Sequence, residues 1–331
     1  MARIFNWGII GLGKIAHKFA QDLRALPNAK LHAVASRSIE KAQDFATQYD
    51  APHAYGSYQE LVNCPDLDVV YIATPHVLHK ENTLLCLDAG IPVLCEKPFA
   101  MNAQEVNTMI QKAQEKNTFL MEALWTRFLP TTLKALSFIE QGVIGDVYSV
   151  KADFGFRATF DPNSRLFNPQ LGGGSLLDIG IYPVFLALLL FGKPDEIKAF
   201  AQFSETAVDE ECQILFQYAN GKMANLHSTI RSQTKTEAFI YGEKGCINIH
   251  TRWHEPSSMS LLLNGERPEH LSFQYEGNGY YLEAAEVMKC LEEGKTESPL
   301  LSLSFSRDLI HLLDKIRSIT GIHYPGIDAN E

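Results

Sequence analysis

The sequence lacks paired cysteines, an excess of positive charge and a long apolar run. Its six cysteines are scattered, with no CxxC pair, and most lie in apolar segments, as buried free thiols do. The formal net charge of −10 argues against nonspecific binding to nucleic acid or to anionic membranes. The longest apolar stretch, Val184 to Gly192, is too short to span a bilayer, and the first residues do not resemble a signal peptide. These absences predict a cytoplasmic protein without a nucleic-acid or membrane partner.

The character of the chain changes near residue 123, which predicts two domains, 1–123 and 124–331. The first domain alternates short apolar runs with amphipathic segments, a pattern typical of βαβ units in a doubly wound parallel sheet covered on both faces. In the second, strand-like runs between Ile197 and Phe273 have few helices between them, which predicts an α+β domain with a large, mostly antiparallel sheet. The strands predicted for the first domain are Phe5–Ile10, Leu31–Ala35, Val69–Ala73, Val93–Cys95 and Phe119–Met121.

A glycine-rich turn follows the first predicted strand and opens a helix. In GLGKIA, Gly11 permits a tight turn, Gly13 lets the backbone approach a pyrophosphate, and the small Ala16 allows close packing of helix on strand. The N–H groups at the helix start then face the anion. The turn predicts a dinucleotide site, and its expected contact residues are Gly11, Gly13, Lys14 and Ile15.

The residues after the second predicted strand favour NADP over NAD. An NAD site commonly has Asp or Glu here for the ribose hydroxyls, whereas this strand is followed by Ser36, Arg37 and Ser38. Together with Lys41, these side chains suit a 2′-phosphate, because a guanidinium group and hydroxyl groups accommodate its charge. The same residues are also compatible with a solvated helix start in which Ser38 is the N-cap, and NAD remains open.

A lysine between an acid and a proline ends the predicted strand in VLCEKPFA. Lys97 thus lies at the carboxyl end of a strand, the edge where doubly wound sheets bind ligands. Its ammonium group could stabilise an oxyanion or lower the pKa of a nearby acid. From these residues alone, a surface lysine paired with Glu96 is the simpler interpretation.

A second segment, GGGSLLDIGIYPV, changes that balance. Asp178 and Tyr182 are four residues apart in a predicted helix, Ser175–Phe191, and so share one face. The three preceding glycines allow close approach of the backbone. A tyrosine near a fixed lysine can donate and accept a proton for a carbonyl/alcohol pair, because the cation favours the phenolate.

These stretches resemble the successive signatures of the Gfo/Idh/MocA oxidoreductases along nearly the whole chain: GIIGLGKIA, ATPHVLH, VLCEKPFAMNAQE and GGGSLLDIGIYPV. Within that family, SYQELVNCPDLDVVYIATPHVLH and FLMEALWTRFLP look most similar to the branch of dimeric dihydrodiol dehydrogenases and NADP-dependent D-xylose dehydrogenases. The resemblance implies an N-terminal Rossmann domain and a C-terminal open sheet whose exposed face pairs two subunits into a homodimer. It also implies hydride transfer between NADP and a carbinol carbon.

By this resemblance the family's EKP lysine is Lys97, and its aspartate and proton-transfer residue are Asp178 and Tyr182. Lys97 is expected to touch the reacting oxygen and Tyr182 near the nicotinamide, with Glu96 and Pro98 holding its backbone. Lys97 and Glu96 therefore join the expected cofactor contacts. Other sugar dehydrogenases of the family often have histidine where this chain has Tyr182, and tyrosine fits the dihydrodiol/xylose branch.

The TPHVLH segment after another predicted strand adds cofactor candidates. Thr74 and Pro75 are expected to contact the cofactor, and His76 and His79 to line the nicotinamide or substrate side of the cleft. Capping and core packing are the alternative for both histidines. No metal is expected, because no third ligand is evident and the histidines of HTRWHEP lack the spacing of a helical zinc motif.

The expected substrate contacts are Trp125, Arg127, Phe154 and Trp253. An aromatic face and a forked donor suit a pyranose or a cyclic diol. Ordinary core packing is the alternative, above all for Phe154 and Trp253. The Pro-, Asn- and Gly-rich segment 156–174 is expected to form a long loop that either orders over the substrate or lies passively at the surface.

The expected function is NADP-dependent hydride transfer to or from an aldopyranose, such as D-xylose at C1, or a cyclic trans-diol, with Tyr182 as acid/base assisted by Lys97. A keto- or anhydro-sugar reductase and an inositol-type dehydrogenase are alternatives with the same residues. A regulator that senses NADP without catalysis is a further alternative, against which the joint presence of Lys97, Asp178 and Tyr182 argues.

Overall fold

A computed structural model describes residues 3–328 of the 331-residue chain. The chain folds into two compact units. The first contains the residues up to Trp125 together with Tyr275–Arg307, and the second contains Thr126–Gln274 together with the residues from Asp308 onward.

The first unit is built on a parallel sheet whose strand order, within residues 3–328, is β3-β2-β1-β4-β5-β6. All residues of β4, β5 and β6 are buried, as expected for strands covered on both faces. The predicted α/β class with a doubly wound parallel sheet is confirmed. Its strands are β1 (Phe5–Ile10), β2 (Ala29–Ala35), β3 (His53–Tyr55), β4 (Val69–Ile72), β5 (Val93–Glu96) and β6 (Leu120–Ala123). Its helices are α1 (Lys14–Leu23), α2 (Ile39–Tyr49), α3 (Tyr58–Leu61), α4 (His79–Asp88), α5 (Ala103–Glu115) and α8 (Tyr281–Glu292).

The second unit is built on a larger sheet, in which the described strands follow the order β14-β13-β12-β11-β7-β10-β9-β8. β7 and β10 pair in parallel, and the other neighbours are antiparallel, so the predicted mostly antiparallel sheet is confirmed. Its strands are β7 (Val147–Gly155), β8 (Glu196–Phe203), β9 (Asp209–Gln217), β10 (Met223–Thr229), β11 (Ala238–Gly242), β12 (Gly245–Ile249), β13 (Met259–Leu263) and β14 (Glu269–Leu271). Its helices are α6 (Pro130–Glu140), α7 (Ile181–Phe191) and most of α9 (Leu303–Thr320).

The segment 275–307 belongs to the first unit in space, although the predicted boundary at residue 123 assigns it to the second domain. Helix α8 in this segment packs against α1. The backbone N–H of Leu120 donates to the carbonyl of Thr296 at 3.1 Å. The carboxylate of Asp22 on α1 accepts hydrogen bonds from the backbone of Asn278 and Tyr280. These contacts join residues far apart in sequence, which no local pattern indicates.

The predicted helix Ser175–Phe191 is two elements, a π-helical turn at Leu176–Gly180 followed by α7. Among the described residues, the helical segment Pro169–Phe191 has the length and composition of a membrane span, with a mean hydropathy of 2.0 in its most apolar window. This segment is longer than the apolar run Val184 to Gly192 because it also includes the helical turns that precede α7. Since 83% of that window is buried inside the protein, the segment has the burial of a core helix in a soluble protein.

Candidate active site

The turn between β1 and α1 has the shape that a dinucleotide pyrophosphate requires. Gly11 has φ +87°, and a Cβ there would lie 2.8 Å from the backbone nitrogen of Thr74. A Cβ on Gly13 would meet no atom within 4 Å, so the space above this glycine is open. No side chain among residues 3–328 caps α1 at Gly13. The helix start can therefore offer its N–H groups to an anion, and the turn fits the phosphates of NAD(P).

The end of β2 places two hydroxyl groups and two cations side by side. Ser38 caps α2: its Oγ accepts from the Lys41 N–H at 3.2 Å and donates to Glu40 at 2.7 Å. This hydrogen bond lowers the pKa of the Glu40 carboxyl. The Ser36 Oγ accepts from the Ser38 N–H at 3.4 Å, and Arg37 and Lys41 are exposed. Ser38 is thus the N-cap of α2, which was one of the two interpretations of the sequence. Arg37 points to solvent, and its charge is available to a ligand.

His79 bridges the end of β4 and the segment that follows β5. Its side chain is 1% exposed, its Nε2 lies 2.9 Å from the Thr74 carbonyl, and its Nδ1 lies 2.9 Å from the Pro98 carbonyl. Burial lowers the pKa of this imidazole. Because both ring nitrogens face protein carbonyls, His79 positions backbone in this structure and presents no donor to a ligand. His76 is buried beside it, and Pro75 is exposed at the start of a 3-10 turn.

Lys97 follows β5 directly, and carboxylates hold the backbone around it. Glu96 accepts a hydrogen bond from the Lys97 N–H at 3.1 Å through one oxygen and a short one from the Tyr71 hydroxyl through the other. Burial and the neighbouring Glu96 raise the pKa of Tyr71 well above its usual value, so the phenol keeps its proton and donates. Two residues on, the Phe99 N–H donates to Glu122 at 3.0 Å. The Lys97–Pro98 peptide bond is cis. The half-buried Lys97 side chain is therefore carried on a backbone fixed from both sides.

Asp178 lies in the π-helical turn and forms a bidentate ion pair with Arg165. Its two oxygens accept from the two terminal guanidinium nitrogens at 3.0 and 2.9 Å. Arg165 lies in the segment 156–174, so this ion pair ties the predicted loop to the helix. Leu166 and Phe167 of the same segment pack into an apolar cluster with Ile179, which anchors the loop further.

Tyr182, in the first turn of α7, lies in an aromatic group with Phe154 and His254. The Phe154 and His254 rings stack at 3.8 Å, and the Tyr182 ring lies 5.0 Å from His254 and 5.7 Å from Phe154. His254 is in turn held by its carbonyl, which accepts from the Thr126 hydroxyl at 2.6 Å. Tyr182 and His254 are buried in this group, and the half-buried Phe154 is its most accessible ring.

The remaining predicted substrate contacts are buried. Trp253 is 0% exposed, and its indole N–H donates to the Asp153 carbonyl at 2.9 Å, so it is a core residue in this structure and has no surface for a substrate. Trp125 stacks on Tyr280 at 4.2 Å with nearly parallel rings and is almost fully buried in the first unit. Arg127 is buried in the second unit.

Three residues at the site were not predicted from the sequence. Arg165 and His254 contact predicted site residues, and Glu122 accepts the Phe99 N–H two residues after Lys97. Each is brought into place by tertiary contacts over at least 13 residues of chain. His254 stands next to the predicted substrate contact Trp253 in HTRWHEP, so its position in the sequence is a signal for it. Glu122 is an acid inside an otherwise apolar strand, FLMEAL, and that is a signal that could have been used.

Comparison with known proteins identifies the family. Residues 5–124 match the Gfo/Idh/MocA family described as "Oxidoreductase family, NAD-binding Rossmann fold", and residues 132–248 match the "GFO/IDH/MocA C-terminal domain". The chain is 40% identical to the trans-1,2-dihydrobenzene-1,2-diol dehydrogenase of Mus musculus, over 97% of this chain and 98% of that protein. The chain therefore belongs to the Gfo/Idh/MocA family of oxidoreductases.

Solved structures show the same fold. The aldose-aldose oxidoreductase from Caulobacter crescentus, complexed with glycerol, matches with a TM-score of 0.88 and 25% identity, over 96% of this chain and 98% of that one. A levoglucosan dehydrogenase in complex with NADH and levoglucosan matches with a TM-score of 0.86 and 23% identity, over 96% and 98% of the two chains. The predicted family, including the similarity to dihydrodiol dehydrogenases, is confirmed. The protein is an oxidoreductase with an NAD(P)-binding Rossmann domain.

Proposed function

We propose that the protein is an NADP-dependent dehydrogenase that moves hydride between the nicotinamide and a carbinol carbon of an aldopyranose, such as D-xylose at C1, or of a cyclic trans-diol. The observation that carries the proposal is the placement of Lys97. It stands at the carboxyl end of β5, in the same sheet whose first turn fits a dinucleotide pyrophosphate. The full-length identity of 40% to a trans-dihydrodiol dehydrogenase supports the diol as substrate class.

The preference for NADP rests on charge at the end of β2. Arg37 and Lys41 are exposed there, and the acid nearest in sequence, Glu40, is hydrogen-bonded to Ser38. A 2′-phosphate gains charge-assisted hydrogen bonds from a guanidinium group, whereas a ribose diol gains most from a carboxylate at the strand end. Binding of NADP at least about tenfold tighter than NAD is expected, which corresponds to about 1.4 kcal/mol.

A nicotinamide cofactor, when bound, would supply the hydride chemistry of the proposed reaction. Tyr182 takes the hydroxyl proton when the alcohol is oxidised and returns it when the carbonyl is reduced. In this proposal the Lys97 ammonium stabilises the substrate oxygen and favours the phenolate form of Tyr182. Asp178, held by Arg165, anchors the turn that carries Tyr182. Such π-helical turns are frequent at functional sites, which supports this assignment.

The proposed substrate contacts combine flat apolar faces with hydrogen-bonding groups. The half-buried Phe154, stacked on the buried His254 beside Tyr182, offers an aromatic face suited to a pyranose ring or a cyclic diol. Trp125 and Arg127 extend this set in the proposal, the arginine as a forked donor to sugar hydroxyls. Trp253 acts from the core, by holding the Asp153 carbonyl next to Phe154.

The proposed assembly is a homodimer in the cytoplasm. All six cysteines are free thiols, which suits a reducing compartment. The outward face of the second unit's sheet carries exposed apolar side chains, among them Phe200, which is 76% exposed, and Leu215. A second copy of the chain would cover these side chains.

The test follows NADPH absorbance over a panel of aldopyranoses, inositols, keto-sugars and cyclic trans-diols with the wild type, Lys97→Met and Tyr182→Phe. We expect NADP reduction with a pyranose or a diol. Each variant should lose about 10²–10⁴-fold in kcat, because general acid–base catalysis contributes about that much. NADP binding, measured by fluorescence titration, should stay within a few-fold of wild type for Tyr182→Phe.

Matched controls are Lys80→Met, at a half-buried lysine paired with Glu105, and Tyr148→Phe, at an exposed tyrosine. Both should keep the wild-type rate. Near-wild-type turnover in Lys97→Met and Tyr182→Phe would refute the mechanism. NADP binding without turnover on any compound would favour a regulatory protein. Turnover only with keto- or anhydro-sugars or inositols would show that the substrate class differs from the one proposed.

A further inference from the structure

Three metal-ligating side chains from separate segments come together at the β2–β3 edge of the first unit. They are His32 on β2, His53 on β3 and Cys64 beyond α3, which we call the His32–His53–Cys64 cluster. One ligand atom of each lies within 4.8 Å of those of the other two. The imidazole rings of His32 and His53 are 4.7 Å apart and nearly perpendicular. No residue of the cluster belongs to the proposed cofactor or substrate contacts.

His32 has its ring nitrogens arranged as in a metal ligand. Its Nε2 lies 3.0 Å from the Pro65 carbonyl, and because a carbonyl oxygen only accepts, the neutral ring carries its proton on Nε2. The lone pair is then on Nδ1, which is buried and has no hydrogen-bond partner within residues 3–328. Metal-bound histidines usually donate their other N–H to a carbonyl or carboxylate in this way. His32 is only 9% exposed, so an unsatisfied lone pair here is unfavourable.

Cys64 lies close to the carbonyl that His32 contacts. Its buried thiol points to the same Pro65 carbonyl, at 3.6 Å, and also forms a hydrogen bond with Tyr55. His53 is half-buried and gives the cluster an opening to solvent.

We propose that one ring nitrogen of His32, one ring nitrogen of His53 and Cys64 Sγ bind one zinc-type divalent cation, with water as a fourth ligand. Mixed imidazole and thiolate donors suit Zn²⁺. Ideal tetrahedral Zn–N and Zn–S bonds place ligand atoms about 3.3–3.6 Å apart, so the cluster closes by about 1.5 Å at most, which rotation of the half-buried His53 side chain can provide. On binding, a Zn–S bond forms and Cys64 releases its thiol proton to solvent.

The proposed site would form a metal cross-link at an edge of the parallel sheet. β3 has three residues, and its pairing with β2 includes Ala33 opposite His53. A cation would cross-link β2, β3 and the turn at Cys64, and would stabilise the folded state by mass action. The sequence analysis expected no metal because it found no third ligand. The three residues lie 21 and 11 positions apart, and only strand pairing brings them together.

The test titrates the full-length protein, without NADP and under a thiol-free reductant, with Co²⁺ as a spectroscopic probe. We expect one Co²⁺ per chain, with a sulfur-to-cobalt charge-transfer band in the near ultraviolet that Zn²⁺ abolishes by displacement. Zn²⁺ alone should raise the unfolding temperature. A wild-type protein with no saturable Co²⁺ binding would overturn the proposal.

The variants Cys64→Ser and His53→Gln identify the ligands. Cys64→Ser should lose the charge-transfer band, and His53→Gln, at a half-buried position that tolerates substitution, should weaken Co²⁺ binding at least about tenfold. Cys246→Ser removes a half-buried thiol in the second unit and should leave the titration unchanged. A wild-type titration curve in Cys64→Ser, with folding confirmed by circular dichroism, would refute the assignment. None of these readouts depends on the enzymatic activity.

Discussion

At the scale of single residues, two carboxylates determine the backbone that carries Lys97. Glu96 accepts the Lys97 N–H, and Glu122 accepts the Phe99 N–H. Glu122 is 2% exposed, and burial raises its pKa to about 7. A buried acid that titrates near neutral pH makes the stability of this unit depend on pH.

The substitution Glu122→Gln tests this pH dependence. A carboxyl group whose pKa is higher in the folded state than its unfolded-state value of about 4.5 binds its proton more tightly in the folded protein. Its contribution to the free energy of unfolding is fully present below pH 4.5 and is lost as the pH rises towards 7. Relative to wild type, Glu122→Gln should therefore gain stability between pH 4.5 and pH 8, by up to about 3 kcal/mol. Urea unfolding at several pH values measures the difference.

The control for this experiment is Glu140→Gln, at an exposed position on α6. Its stability relative to wild type should change little with pH. If Glu122→Gln and wild type keep a constant stability difference over this pH range, Glu122 does not carry the buried proton.

At the scale of elements, the π-helical turn before α7 depends on a glycine and a buried aspartate. Asp209 accepts hydrogen bonds from the Leu176 N–H at 2.7 Å and the Ser175 hydroxyl at 2.9 Å, and so caps this turn. Burial raises the pKa of Asp209 to about 7. Gly174 lies against it, with φ +125°, and a Cβ there would be 2.2 Å from Asp209 Oδ1.

Gly174→Ala should therefore destabilise the protein and lower kcat, because the cap of the turn that carries Tyr182 must shift. The backbone conformation alone costs about 1–3 kcal/mol, and the clash adds to it. Thermal unfolding and steady-state kinetics measure both effects.

Gly221→Ala is a control that changes a glycine of positive φ without creating a steric clash. Gly221 has φ +83°, but a Cβ there meets no atom within 4 Å. This control should lose some stability and keep the wild-type kcat. Equal losses of stability and unchanged kcat in both variants would show that the contact with Asp209 is unimportant.

At the scale of the whole molecule, the second unit's sheet has one buried and one outward face. Burial alternates along β9 and β10, so that Leu215 and Met223 point outward while Ile214 and Ala224 are buried. Exposed Phe200 lies on the neighbouring strand. An outward face with this many apolar side chains suits pairing with a second copy.

Leu215→Glu should convert the proposed homodimer to a monomer, because a buried, unpaired carboxylate at each copy of the interface is costly. Light scattering coupled to size-exclusion chromatography measures the mass. Leu133→Glu is the matched control, since Leu133 on α6 is 42% exposed and Leu215 is 44% exposed. A monomeric wild type, or a Leu215→Glu variant that stays dimeric, would refute pairing through this face.

The sequence by itself determined five of the six strands in the first unit's sheet and the glycine turn, because these features depend on local periodicity and backbone freedom. The three-residue β3 (His53–Tyr55) is too short to show such a periodicity and was not predicted. β1 was predicted with the bounds it has, Phe5–Ile10. The family also followed from motifs that are contiguous in the chain. The burial of Trp253, the two carbonyl contacts of His79 and the return of residues 275–307 to the first unit were decided by tertiary structure. Each depends on contacts between distant segments, and a sequence pattern records what a residue prefers but not which neighbours it meets.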